Sequence, residues 1–240
     1  MWHLIEGEAG CAYAVENHCV AVIVDALRAS ATAAMLFEAG AAEIIVLRQV
    51  ADAFAAKRTY PDALLFGERS GLPPEGFDYG NSPRSVRAAE GKRVIFTTTT
   101  GAQRLVAAWG AAAVYMGTTI NAEAVAAAVA SHGAGVVLIP AGLSGDPGFN
   151  AQEDWVAATL IAMQGEARIG EGAGQYGYWR ERIEAEGLDA LFDSAPHAAK
   201  LRRVGLGEDV AFCAQVNIVN RVPEAVARIV NGVIVRESRA

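Results

Sequence analysis

The sequence predicts an α/β fold: three layers, α/β/α, around a mostly parallel sheet, in a single domain over residues 1–240. Three observations carry this. Short runs rich in Val and Ile alternate with alanine-rich segments, the pattern of strands joined by crossover helices. The strand-like runs are apolar at nearly every position, as strands covered on both faces are. Five of them end abruptly in polar or glycine-rich residues, and in open α/β sheets ligands sit just beyond the carboxyl ends of the strands.

The elements follow in order. Val20–Val24 is a strand that ends at Asp25, with Arg28, Ala29 and Ser30 beyond it. Ser30 to Gly40 reads as a helix, rich in alanine and stopped by glycine. Glu43–Leu47 is a strand, and Val50 to Tyr60 a helix halted by Pro61. Ala63 to Phe66 is a buried strand that reaches Gly67-Glu68-Arg69-Ser70-Gly71. The long irregular stretch Gly71 to Pro83 suits a functional loop, and Pro83 suits the first turn of a helix over Arg84 to Glu90. Arg93–Thr97 is a strand followed by Thr98, Thr99, Thr100 and Gly101, then a helix over Ala102 to Trp109. Ala113–Met116 is a strand that ends at Gly117-Thr118-Thr119, and Asn121 is placed to cap a helix over Ala122 to Ser131. Val136–Ile139 is a strand with a glycine-rich loop to Asn150, and Ala151 to Arg168 a helix. Gln175 to Glu186 and Ala198 to Val204 read as helices. Asp209–Cys213 and Gly232–Arg236 read as strands at a sheet edge. Residues 170–174 are the best candidate for a subdomain boundary.

Composition narrows the function. With 52% hydrophobic residues, a sizeable core can form and disorder is not expected. A formal net charge of -7 argues against nucleic acid as a partner. A small anion remains compatible, because local arginines or a cation can reverse the sign inside a cleft. No uncharged apolar run approaches the roughly 20 residues of a membrane span, and Met1–Glu6 lacks the features of a signal peptide. No membrane association and a cytoplasmic location are therefore expected. Cys11, Cys19 and Cys213 show no paired or metal-binding spacing and are expected to be free thiols.

The strand tips hold the chemistry. Asp25 suits a hard-cation ligand or a nucleophile, and equally a turn or helix cap. Arg28 suits a two-pronged anion contact or a structural ion pair. Glu68 and Arg69 repeat the pairing of acid and base between two glycines, where a ligand can approach the backbone closely. Thr97, Thr98 and Thr99 offer hydroxyls before Gly101. Glu153 and Asp154 start a helix, where carboxylates are favoured in any case, and they also suit magnesium. The four histidines lack metal-binding spacing and read as surface or satisfied residues. There is no GxGxxG after the first strand, no P-loop and no GxSxG.

Several of these segments together resemble the 2-phosphosulfolactate phosphatase (ComB) family. They are Val22 to Ser30, Gly67 to Gly71, Gly76 to Pro83, the threonines before Gly101, Ile120-Asn121-Ala122, Ile139 to Gly142, Glu153-Asp154, Asp209 to Cys213 and Val222-Pro223. The resemblance implies a ComB-like α/β/α fold and magnesium-dependent hydrolysis of 2-phospho-3-sulfolactate to sulfolactate and phosphate, on the route to coenzyme M. It implies catalytic roles for Asp25, Arg28, Glu68 and Arg69. Substrate contacts would come from Ser30, Asn81, Ser82, Thr97, Thr98, Thr99, Gly101 and Asn121, and Mg2+ ligands from Asp25, Glu68, Glu153 and Asp154. Two departures stand out. Thr100 and Ala102 replace an asparagine and a threonine common in the family, and Asn217 replaces an aspartate. These departures motivate the alternative of a non-catalytic protein that binds a phosphorylated or sulfonated metabolite. Attack by water or by Asp25 itself is left open, as is a homo-oligomer.

Overall fold

A computed structural model describes residues 1–146 and 148–238. In chain order its elements are β1 (Trp2–Leu4), α1 (Gly7–Glu16), β2 (Val20–Val24), α2 (Ala29–Glu38), β3 (Glu43–Leu47), α3 (Val50–Thr59), β4 (Leu64–Gly67), β5 (Arg93–Thr97), α4 (Gly101–Ala107) and β6 (Ala113–Met116). They continue with α5 (Ala122–Ala130), β7 (Val136–Pro140), α6 (Gln152–Gln164), α7 (Ala173–Glu186), α8 (Leu188–Asp193), α9 (Pro196–Arg203), α10 (Glu208–Cys213), β8 (Pro223–Ile229) and β9 (Gly232–Glu237).

Among the described residues the strands form one sheet of nine, in the order β1-β7-β2-β6-β8-β9-β3-β5-β4. Five strand pairs are parallel and three antiparallel. The fully apolar strands sort their side chains by alternation. Val20, Val22 and Val24 of β2 face one core, and Ala21 and Ile23 the other. In β5, Val94 and Phe96 join Ala21 and Ile23, while Ile95 turns to α3. One face thus runs continuously under α1 and α4. The opposite face is covered by α5 to α10 at one end and by α3 at the other. This is the expected three-layer arrangement.

The sheet has two parallel halves of opposite sense. β1, β7, β2 and β6 run together, as do β3, β5 and β4; the β8–β9 hairpin joins the halves through three antiparallel pairings. Flat, the sheet would put their carboxyl ends on opposite edges, with β2 and β5 five steps and roughly 24 Å apart. The loops beyond them touch nonetheless: a Cβ on Gly101 would lie 2.8 Å from Asp25 Oδ2. Right-handed twist of roughly 20–25° per step, about 100–125° over five steps, turns the two sets of tips toward one another.

Four expectations are corrected. Asp209–Cys213 is helix, because Asp209, Val210 and Cys213 bury one helical face. Strand β9 lies inside the sheet, between β8 and β3. Only one 3-10 turn, Pro83–Ser85, forms where a helix to Glu90 is expected, and Ala88 takes a positive φ of 54° that a helix cannot continue through. Asn121 does not cap α5 with its side chain. Its carboxamide oxygen accepts from Thr118 N–H and its Nδ2 donates to the Arg221 carbonyl. The cap comes from Asn217, whose Oδ1 accepts the Glu123 N–H at 2.9 Å. The departure at Asn217 is therefore a helix cap, in a left-handed conformation (φ 53°) that asparagine tolerates. Residues 168–171 hydrogen-bond to β1.

Candidate active site

The tips of β2, β4, β5 and β7 converge with α9 on a cleft of about 490 Å³. Of the residues singled out in the sequence, Asp25, Arg28, Glu68, Arg69, Asn81, Thr98, Thr99 and Asp154 line it.

Asp25 follows β2 directly. Its Oδ1 accepts the Ala29 N–H at 3.2 Å, and its own N–H is held by Ser30 Oγ. Among the described residues no protein donor claims Oδ2. Asp154 is fixed differently: Oδ1 accepts from Ala26 N–H at 2.8 Å and Oδ2 from Gly142 N–H at 3.1 Å. It ties the β2 and β7 loops together. Burial raises the Asp154 carboxyl well above the usual range, and the neighbouring Glu153 and Asp25 raise it further against those two N–H donors. Burial likewise raises Asp25; the Ala29 N–H and His197 oppose this, and Glu68 and Glu153 add to it.

Glu68 and Arg69 lie on a tight turn. Arg69 and Leu72 exchange backbone hydrogen bonds, with Ser70 and Gly71 both at positive φ, the signature of a type I′ turn. Glu68 organises two loops. Its Oε1 accepts from the Thr99 N–H and hydroxyl, and its Oε2 from Gly71 N–H at 2.9 Å. Arg69 donates to the carbonyls of Glu68 and Arg48 and to Thr97 Oγ1.

Arg28 is 2% exposed. It pairs with Asp209 at 2.6 Å and donates to the Gly71 carbonyl. Asp209 also accepts from Ser82 Oγ at 2.7 Å. The structural-pair reading of Arg28 is thus realised, yet only two of its five N–H groups are engaged, and the residue still lines the cleft.

The remaining expected residues lie outside the lining. Ser30 staples the β2 turn by donating to the Ile23 carbonyl. Ser82 supports Asp209, Thr97 supports Arg69, and Asn121 is spent on the Thr118 N–H and the Arg221 carbonyl. Gly101 abuts Asp25 Oδ2, where no Cβ fits. Glu153 is buried beside the cleft; its Oε1 meets His197 Nδ1 at 3.2 Å, and its Oε2 has no partner among the described residues. Of the two altered threonine-loop positions, Thr100 lines the cleft and accepts the Ser144 N–H, while Ala102 is buried in the core.

Sequence reasoning missed the α9 wall. His197, Lys200, Leu201 and Val204 recur at helical spacing and all line the cleft, with Arg203 beside them. That periodicity was the available signal.

Among the described residues no group of three or more His, Cys, Asp or Glu side chains is arranged to hold a metal. The donors nevertheless fit a hard cation that takes one or two carboxylates and completes its shell with water and substrate. Among the described residues Asp25 Oδ2 is unclaimed and Glu153 Oε2 is buried without a partner, and the neighbouring carboxylates add to the raised pKa of Asp25 and Asp154. Glu68 and Asp154 have both oxygens engaged by protein donors, so Asp25 and Glu153 are better placed to serve.

Comparison with known proteins agrees with this cleft. The family model described as 2-phosphosulpholactate phosphatase matches residues 8–228. A probable 2-phosphosulfolactate phosphatase of Deinococcus radiodurans is 39% identical over 86% of this chain and 88% of its own. Proteins of the same description from Thermus thermophilus (35% identity; 91% and 93% covered) and Carboxydothermus hydrogenoformans (32%; 85% and 84%) align over similar spans. With most of its length matched, the chain belongs to the 2-phosphosulfolactate phosphatase family and is a phosphoric monoester hydrolase.

Proposed function

We propose that the protein hydrolyses 2-phospho-3-sulfolactate to 3-sulfolactate and inorganic phosphate, with Mg2+ as cofactor. One observation carries the reading most: Asp25, whose Oδ2 no protein donor claims among the described residues, lines a cleft that Arg28 and Arg69 also line. The relatives' shared description supports the substrate.

The phosphoryl group would meet the free N–H groups of Arg28 and Arg69 and the Thr98 hydroxyl, a positioning and charge-stabilising set of the kind phosphoryl transfer requires. Asp25 and Glu153 would hold magnesium, which when bound neutralises charge on phosphoryl oxygens. Asp154 and Glu68 have both oxygens tied to loop backbone. Their task is to set the loops around Asp25.

The test is phosphate release from a panel of phosphorylated hydroxy acids, with magnesium and with chelator. Turnover should be fastest with 2-phospho-3-sulfolactate and should vanish on chelation. Tight binding across the panel without phosphate release would overturn the reading in favour of a binding protein. Undiminished release in chelator would remove the magnesium role alone.

A further inference from the structure

The cleft floor is poorly supplied with positive charge. Asp25, Glu68 and Asp154 line it, and Arg28 is already matched by Asp209. Arg69 is committed to two carbonyls and a hydroxyl. A substrate with a phosphate, a sulfonate and a carboxylate needs further cations. They stand on α9. Lys200 and Arg203 lie three residues apart on α9, on neighbouring faces of adjacent turns, and both line the cleft. Neither has a carboxylate partner among the described residues. Arg202, absent from the lining, pairs with Asp193. The Lys200 ammonium sits 4.2 Å from the Phe149 ring centroid, which steadies a long flexible side chain without cancelling its charge.

We propose that Lys200 and Arg203 recognise the sulfonate end of the substrate, the part that is not transferred, and so determine specificity. This rests on the phosphatase reading of the cleft. A sulfonate stays ionised at any physiological pH and presents several acceptor oxygens. A guanidinium and an ammonium at the cleft mouth can share them at a modest desolvation cost. The α9 wall then selects the substrate, while the floor acts on the phosphate.

The test compares kcat/KM for 2-phospho-3-sulfolactate with that for 2-phospholactate, which keeps the phosphate and carboxylate but lacks the sulfonate. In Arg203→Ala the ratio of the two should fall about tenfold, and further with Lys200→Ala added, mostly through KM. Arg203→Lys should recover part of the loss. A ratio unchanged within about twofold, or equal losses on both esters, would overturn the proposal. Both residues are exposed, so the variants should fold. Calorimetric titration with 3-sulfolactate and with inorganic phosphate gives a readout that needs no turnover. Arg203→Ala should weaken 3-sulfolactate about tenfold relative to phosphate. Equal weakening, or a wild type that does not bind 3-sulfolactate, would count against the proposal. If the wild type hydrolysed neither ester, the phosphatase reading would fail while this titration still decided the role of α9.

Discussion

Gly101 shows how one missing side chain positions a site. A Cβ there would lie 2.8 Å from Asp25 Oδ2 and 3.2 Å from both Ala29 Cβ and Thr98 Oγ1. Alanine would improve helix propensity by roughly 0.5–1 kcal/mol. Overpacking costs roughly 1–3 kcal/mol, so the crowding should win. Gly101→Ala is expected to lower the unfolding free energy slightly and to cut kcat at least tenfold by displacing the Asp25 carboxylate. Denaturant melts and steady-state kinetics check both. Unchanged kinetics would mean that the position of Asp25 is not critical. Asp25 itself was legible in the sequence, because an acid after five apolar residues must sit at a strand tip. The roles of Ser30, Ser82 and Asn121 were not. Each is polar and near a tip, and only the folded backbone shows that its hydrogen bonds are spent internally.

At the level of elements, the Arg28–Asp209 pair joins pieces remote in sequence. It links the start of α2 to α10, and through Gly71 and Ser82 it reaches the Arg69–Leu72 turn and the long loop. Removing one partner leaves the other buried and uncompensated, at a cost of roughly 3–5 kcal/mol. Asp209→Ala should therefore destabilise by about that amount in urea unfolding, and replacing Arg28 and Asp209 together by apolar residues should recover much of it. A loss below about 1 kcal/mol for Asp209→Ala would show that the pair is dispensable. This pairing also explains a misread element. Asp209 to Cys213 has the apolar content of a strand, but a helix is what buries Asp209 opposite Arg28. The parallel strands were legible from their continuous apolar runs. β1, three residues long, and α1, with two glycines and no side-chain cap, give no such signal.

For the whole molecule, the twist of the sheet matters most. The sequence places acids, arginines and threonines at strand tips but says nothing of the opposite sense of the two half-sheets, which depends on the β8–β9 hairpin between them. A second global property is that all three cysteines are free and buried. Burial pushes the Cys11 thiol up to about 11 and raises Cys19 and Cys213 as well. The thiolate is the form that attacks thiol reagents, so the native protein should resist modification near about pH 8 and react only on unfolding. Because the Cys11 pKa is raised on folding, that thiol's contribution is fully present below the unfolded value of 9.0 and is lost as pH rises through about 11. The urea midpoint should therefore fall across that window. A midpoint that rises there would contradict the burial of the thiols.

The central claim is that Asp25 works at the meeting point of the two half-sheets. The most direct measurement is phosphate release from 2-phospho-3-sulfolactate by wild type and Asp25→Asn, in magnesium, with folding of both confirmed by thermal melts. The expected result is a folded variant with kcat/KM reduced by roughly two to four orders of magnitude. A folded Asp25→Asn protein with near wild-type turnover would contradict it.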